Sequence, residues 1–482
     1  MKSFIRYYNS CKEINWEVKI MISQKIQNQG VNNIDKGGKI SVSERFAYGC
    51  GDFASNILYT AMSAFLLYYY TDFVGVSAVA VGTIMLISRF FDGISDLIMG
   101  IIIDKTKSKF GKARVWILRL VVPYAVGTVL LFAVPENWTT TYKLIYIFLS
   151  YNIAFTVLFT GINLPYATLT SLMTQDQYER SVLSIFRMIL ATCGTLFIKT
   201  FTLPVVNFFG NDCRAWTYTF MVFGGISIIF FMITFLFTKE RVTEDNSKSQ
   251  VKVPVIQGFK ALIKNKYWFI MTLTLVLIFV VMGVSGSAEV YYARDILGDS
   301  SLVSKLSIAL TVTQIACMLG ISVLVKKFGK RNVLSCGSAI MILGYIIMAI
   351  DSTNVTVILA GCVLRGIGNA GISACMFAMV CDTIEYGEWK TGIRTEGLIN
   401  SAASFGQKIG NGLSQAIFGV ILSMGGYVGG LSVQSEGALE AIKFAYIYLP
   451  IILTVLQIVL LSFYKLDKEY SGILADLKVR NN

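Results

Sequence analysis

Long apolar stretches recur along this chain, and they constrain its fold more than any other feature. Val81 to Met85, Val121 to Val134, Ile226 to Phe237, Leu273 to Met282 and Leu449 to Phe463 are such blocks. Several extend to about 20 residues with few or no charges, enough for a helix to cross a ~30 Å hydrocarbon layer. Charged residues make up only 15% of the chain and hydrophobic ones 55%, where a soluble domain averages about 25% charged. These proportions exclude a soluble enzyme, a secreted disulfide scaffold and a disordered chain. They describe an all-α, polytopic membrane protein.

The chain has no histidine, which removes histidine-held zinc or haem, serine–histidine hydrolysis and histidine proton relays. Its nine cysteines sit mostly inside apolar runs without a CxxC pair, and read as reduced small hydrophobes. A net charge of +13 could point to nucleic acid, but basic residues also concentrate in cytoplasmic loops that face anionic lipid. No nucleic-acid partner is expected. No cofactor is expected either, and the membrane lipid is the expected surrounding.

Twelve apolar spans can be read, near 45–72, 78–104, 114–134, 142–172, 183–208, 215–238, 267–293, 302–326, 332–350, 355–384, 396–424 and 440–464. The connectors 105–114, 239–266 and 326–331 together carry sixteen Lys and Arg. The opposite connectors and their flanks carry five: Lys143, Arg214, Arg294, Lys305 and Lys443. By the positive-inside rule the basic set is cytoplasmic, which places both termini inside the cell membrane. Residues 1–43 lack the apolar core of a signal peptide and read as a flexible cytoplasmic tail, and 466–482 as a second tail.

The second and eighth spans are each followed by Phe-Gly-Lys, at Phe110-Gly111-Lys112 and Phe328-Gly329-Lys330, 218 residues apart. Gln177-Tyr178-Glu179 after span four has an echo in Glu385-Tyr386-Gly387 after span ten. Two echoes at corresponding places suggest duplicated six-helix bundles, 44–238 and 267–465, joined by the charged linker 239–266. That is the arrangement of major facilitator transporters.

Charges persist inside the spans, where each costs about 2.5–3.5 kcal/mol on insertion scales. Asp52 lies in span one; Arg89, Asp92 and Asp96 in span two; Arg187 in span five; Glu289 in span seven; Arg365 and Asp382 in span ten; Lys408 in span eleven. Polar Asn163 is in span four. Asp92 and Asp96 are four apart and share one helical face, so in low dielectric they need a cation or a shared proton between them. A bound coupling cation is the reading adopted, with Asp92 and Asp96 as metal ligands if that ion is Na+. The competing reading is a charge cluster in which Arg89 neutralises one acid and merely pins helices. Asp382 and Glu385, near Lys390 and Arg394, read as inter-domain salt bridges, and Asp104 beside Lys105 likewise. Glu289 is either a gate or a solvated rim.

Arg89-Phe-Phe-Asp92-Gly-Ile-Ser-Asp96-Leu-Ile-Met-Gly100, followed by Asp104, Lys105 and Phe110-Gly111-Lys112, resembles the signature of the glycoside–pentoside–hexuronide:cation symporters, the family of the melibiose permeases. Tyr68-Tyr69-Tyr70-Thr71-Asp72, Asn163-Leu164-Pro165-Tyr166, Asp382-Thr383 with Glu385-Tyr386-Gly387-Glu388, and Arg394-Thr395-Glu396 also match, over roughly residues 44–468. The resemblance implies uptake of a sugar, driven by a monovalent cation (Na+, H+ or Li+), through alternating access of two bundles in a monomer. It implies Asp92, Asp96 and Thr160 as cation-site residues, and Asp52, Arg187 and Lys408 as groups at or near the sugar. Asn163, a ligand for either, stands where melibiose permeases have an aspartate. Ala167 and Ser373 replace sugar-facing tryptophans and Gly51 a lysine, which is more like the glucuronide, xyloside and β-glucoside branches. A lipid or lysolipid transporter on the same scaffold and a drug:proton antiporter are the alternatives. A membrane-embedded enzyme is not expected.

Overall fold

A computed structural model describes residues 40–174, 177–241, 262–392, 396–431 and 433–481. Residues 1–39 of the N-terminal tail, most of the 239–266 linker, Arg394 and Thr395 lie outside the described residues, as do the side chains of Asp104, Gln177, Tyr178 and Glu396. Within them the architecture is helical. The helices are α1 (Val42–Tyr68), α2 (Ala78–Lys105), α3 (Arg114–Leu131), α4 (Thr140–Met173), α5 (Gln177–Phe208) and α6 (Cys213–Phe237). They are followed by α7 (Lys266–Ile296), α8 (Leu302–Phe328), α9 (Lys330–Ile350), α10 (Val355–Thr391), α11 (Glu396–Met424), α12 (Glu436–Lys443 and Leu449–Ser462, joined by a π-helical turn) and α13 (Leu466–Asn481). Nine helical stretches among the described residues are long and apolar enough to cross a membrane. Helices α1, α2 and α11 are as long but fall outside that set, and they hold Asp52, Arg89, Asp92, Asp96 and Lys408.

Helix starts follow from local chemistry. Asp212, Asn265 and Ser435 cap α6, α7 and α12 by accepting the N–H of Ala215, Trp268 and Ala438 at 2.7, 2.9 and 3.2 Å, which satisfies donors that a helix leaves unpaired. The Phe-Gly-Lys echo is a structural repeat. Gly111 has φ +104 and Gly329 φ +82, conformations that glycine adopts without a Cβ penalty. Just beyond α6, Glu240 accepts the N–H groups of Lys112, Ala113 and Arg114 at 2.7–2.9 Å. At the corresponding place beyond α12, Asp467 accepts the N–H of Arg331 at 2.9 Å. Added Cβ atoms at Gly111 and Gly329 would meet these same two carboxylates.

Packing obeys the same symmetry. In the first half α1 lies on α5 and α6, and in the second α7 lies on α11 and α12. The halves meet through α2 against α11, α5 against α8, and α1 against α7. If α1–α6 correspond in order to α7–α12, the first two contacts are equivalents of each other and the third lies on the pseudo-axis. Glycines permit the approach at α2–α11: a Cβ on Gly82 would sit 2.7 Å from the Gln415 carbonyl oxygen, and one on Gly419 would clash with that of Ala78.

Two expectations are corrected. Residues 466–481, read as a tail, form α13 against α10. Its Leu466, Ile473 and Leu477 are buried, and Glu469 accepts from the Tyr267 hydroxyl at 3.0 Å. Asp382 does not bridge the halves. Its carboxylate takes both bonds from Lys330 at 2.7 Å, and Lys330 opens α9 of the same half.

Candidate functional site

Helix α2 separates its faces sharply. Phe91, Ile94, Ile98 and Ile101 are exposed, as a lipid-facing stripe requires, whereas Ser88, Arg89 and Asp92 are buried. Asp92 therefore faces inward. Its Oδ2 accepts from Arg89 at 3.0 Å, and Arg89 also donates to the Tyr151 hydroxyl at 2.8 Å and lies over the Phe155 ring at 4.2 Å. Among the described residues, Asp92 Oδ1 finds no hydrogen-bond partner although it is buried. An orphaned buried carboxylate oxygen is costly, so this atom has ligand capacity to spare.

One turn on, Asp96 binds across the molecule. Thr160 of α4 donates to its Oδ1 at 3.1 Å, and Lys408 of α11 is paired with its Oδ2. Thr160 sits where the π-helical stretch Asn152–Phe159 ends, a register change of the kind often found at functional sites. Of the expected cation-site groups, Asp96 and Thr160 come together, joined by Lys408. Asp92 turns to Arg89, and Asn163 is half-buried three residues beyond Thr160. Among the described residues no three acidic or thiol groups converge as a metal centre.

The expected sugar pair is also made. Arg187 of α5 donates from Nε to Asp52 Oδ2 of α1 at 2.8 Å. Its guanidinium lies over the Tyr166 ring at 5.2 Å, and the Tyr166 hydroxyl donates to the Tyr48 carbonyl at 2.7 Å. These residues do not line the central cavity. That cavity, about 400 Å³, begins one turn further along both helices, at Asn56 and Thr192.

Both halves line it: Tyr59, Arg89, Tyr151 and Lys199 from the first, and Glu289, Gln314, Arg365, Asn369 and Gln415 from the second, among others. Glu289 is neither a solvated rim nor alone. It is buried, accepts from Lys199 at 2.5 Å across the halves, and takes a 2.8 Å bond from Ser307. Arg365 is buried between the Tyr345 and Tyr446 rings, 4.5 and 5.1 Å from their centroids.

Beyond the cavity, at the end opposite the basic connectors, a polar knot closes the halves. Arg294 of α7 pairs with Asp72 of the first half, with Asp295 at 2.8 Å, and with the Tyr427 hydroxyl at 2.5 Å. Asp72 also accepts from Tyr427 at 2.7 Å, from the Gly430 N–H at 3.2 Å, and from Thr71 at 2.7 Å. Thr71 in turn meets the Tyr291 hydroxyl at 2.8 Å. At the basic end, Arg45–Glu179, Arg241–Glu44 and Lys330–Asp382 each join elements of one half.

Sequence reasoning missed this knot and most of the cavity wall. In the sequence, Tyr68 to Asp72 stand out only as a matching motif, and Arg294 only as a loop charge. Lys199 is legible as a second cation, after Arg187, in the fifth apolar span.

Residues 47–468 match the family model described as MFS/sugar transport protein. The isoprimeverose transporter of Lactiplantibacillus pentosus is 34% identical over 91% of this chain and 92% of its own length. An uncharacterized symporter of Bacillus subtilis is 32% identical over 92% of this chain and 96% of its own. Among solved structures, a bacterial homologue of the human lysosomal transporter Spinster, in an inward-facing conformation, superposes with a TM-score of 0.67 at 14% identity. That match covers 91% of this chain and 99% of the other, and at such identity it speaks for the fold alone. The chain belongs to the MFS/sugar transport protein family, with the major facilitator fold, and is a transporter rather than an enzyme.

Proposed function

We propose that this protein imports a sugar or glycoside together with a monovalent cation, by alternating access of two six-helix halves with twelve spans in all. The relatives named as an isoprimeverose transporter and a symporter support this reading. So do the carboxamides Gln314, Asn369 and Gln415 and the hydroxyls of Tyr59, Thr60 and Ser63 on the cavity wall, groups that sugar hydroxyls can bond, set among apolar side chains that include Phe155, Phe279 and Leu310. The basic end is cytoplasmic, so the knot at Asp72 and Arg294 closes the outer side and the arrangement is inward-facing. The protein acts as a monomer in the cell membrane.

The observation that carries the coupling mechanism is the Asp96–Lys408 pair between α2 and α11, beside an unpartnered Asp92 oxygen. A cation entering between the two carboxylates, with the Thr160 hydroxyl as a further ligand and Asn163 within reach of the same helix face, takes the place the Lys408 ammonium holds. Lys408 is then released, and a contact between the halves changes when the ion binds. Asp52 and Arg187 exchange their mutual bond for sugar hydroxyls. Coupling follows by linkage, each ligand raising the other's affinity by about 1–3 kcal/mol. Sugar uptake into vesicles, with and without a Na+ or a proton gradient, tests this. Accumulation should follow one of the two gradients; equal uptake with neither would rule out symport.

A further inference from the structure

Three charged groups on the cavity wall have no part in the coupling mechanism: Lys199 of α5, Glu289 of α7 and Arg365 of α10. Glu289 lies two residues before Tyr291, whose hydroxyl meets Thr71 in the outer knot, so the cluster sits between the cavity and that knot. The Glu289 carboxylate is shared between the halves. Its Oε1 accepts from Ser307 of its own half at 2.8 Å, and its Oε2 from Lys199 of the other half at 2.5 Å. Beside it, Ser304 of α8 donates to the Thr200 carbonyl of α5 at 2.9 Å, again across the halves. Both inter-half bonds must break when the outer side opens.

Arg365 faces the same turn of α7. Its guanidinium lies over Tyr345, whose hydroxyl meets Ser285 Oγ at 2.9 Å. It also lies over Tyr446, whose ring centroid is 4.5 Å from that of Tyr292. Ser285, Glu289 and Tyr292 follow one another at four and three residues and share one helical face. The two tyrosines that enclose Arg365 are therefore anchored one turn before and one turn after Glu289. Arg365 is buried, and among the described residues its Nε finds no hydrogen-bond partner and no carboxylate is paired with it. A guanidinium held against aromatic faces keeps donors to spare for a carboxylate. Arg365, Tyr345, Tyr446 and Glu289 all belong to the second half, so a rocking of rigid halves keeps them together.

A buried carboxylate stripped of its cation is strongly destabilised, so opening the outer side would be costly if Glu289 simply lost Lys199. We propose that Glu289 changes partner during transport: Lys199 holds it while the outer side is closed, and Arg365 takes it when the halves part there. The carboxylate is then neutralised in both arrangements, and neither basic residue is surplus. Lys199 and Arg365 set the balance between closed and open on the outer side, without touching the cation carboxylates of α2. The exchange rests on the inward-facing reading of this arrangement and extends it to the opposite state.

The test uses the full-length protein in membranes, with its native cysteines replaced and one cysteine placed at Ser63 on the cavity wall. A membrane-impermeant maleimide added outside reads how often the outer side opens. Lys199→Gln removes the closed-side partner and should raise the labelling rate at least fivefold. Arg365→Gln removes the open-side partner and should lower the rate at least fivefold. With Glu289→Gln already present, Arg365→Gln should change the rate less than twofold, because no carboxylate then needs a partner. An Arg365→Gln effect of equal size with and without the Glu289 carboxylate, a rise, or no effect overturns the exchange. So does a Lys199→Gln rate within twofold of the parent. Asp72→Asn is the control for outer closure. If it raises the rate while the Arg365 comparison fails, the exchange falls and the inward-facing reading stands; if it leaves the rate unchanged, both fall. Melting temperatures identify variants that do not fold. Should Arg365→Gln be one, Arg365→Lys replaces it in the same comparison, with a fall of at least threefold when Glu289 is present and less than twofold when it is not.

Discussion

Replacing Asp72 with Asn should unlatch the outer side of the molecule. The Asp72 side chain is 2% exposed and gathers donors from the second half: Arg294, the Tyr427 hydroxyl at 2.7 Å and the Gly430 N–H at 3.2 Å. All three contacts must break when the halves part there. Hydrogen bonds to a charged group contribute about 1.5–3 kcal/mol each. Arg294 keeps Asp295 at 2.8 and 3.0 Å, and an amide oxygen still accepts from Tyr427, so the loss is well below the full sum. A net weakening of about 2–3 kcal/mol corresponds to about a 30- to 150-fold shift toward the outward-open arrangement. The assay is the labelling rate of a cysteine placed at Ser63, which faces the cavity, in a background with the native cysteines replaced. A membrane-impermeant maleimide is added on the outer side. Asp72→Asn should raise the rate at least tenfold. A rate within twofold of the parent, in a protein with normal melting temperature, would refute the latch.

Other perturbations have equally definite outcomes. Gly419→Leu places a side chain where a Cβ already clashes with the Ala78 carbonyl, so it should favour the outward-open arrangement and raise the same labelling rate without Asp72 being touched. Arg187→Lys keeps the charge but loses the planar fork that meets Asp52, and should weaken sugar binding at least tenfold while leaving cation binding in place; equal affinity would remove Arg187 from the sugar site. Asp382→Asn breaks a pair inside one half, between α9 and α10. It should lower the melting temperature by a few degrees with no change in the cation dependence of uptake, and lost coupling would contradict its structural role.

The fold was legible because a membrane span must be apolar along its whole length. The two Phe-Gly-Lys turns also carried real information: each needs a glycine at positive φ and an acidic cap, Glu240 or Asp467, from beyond the last helix of its half. Asp52, Asp96, Arg187 and Lys408 stood out because charge is rare in such a chain. Which acid would pair with which base did not. Arg89 reaches Asp92 within its own helix, whereas Lys408 reaches Asp96 from 312 residues away. The carboxamide wall was invisible for a different reason. Gln314, Asn369 and Gln415 come from three helices, and uncharged amides do not interrupt an apolar pattern enough to be noticed. Helix α13 could have been found from the spacing of Leu466, Ile473 and Leu477, which puts their apolar side chains on one face.

The most direct test of a cation held by the α2 carboxylates is sugar affinity of the purified protein, measured across Na+ concentration and across pH. Wild type should bind sugar about 5- to 150-fold more tightly when its coupling ion is saturating. Asp96→Asn should bind sugar with one weak affinity whatever the ion. An Asp96→Asn protein that kept the full ion-dependent gain would contradict the mechanism outright.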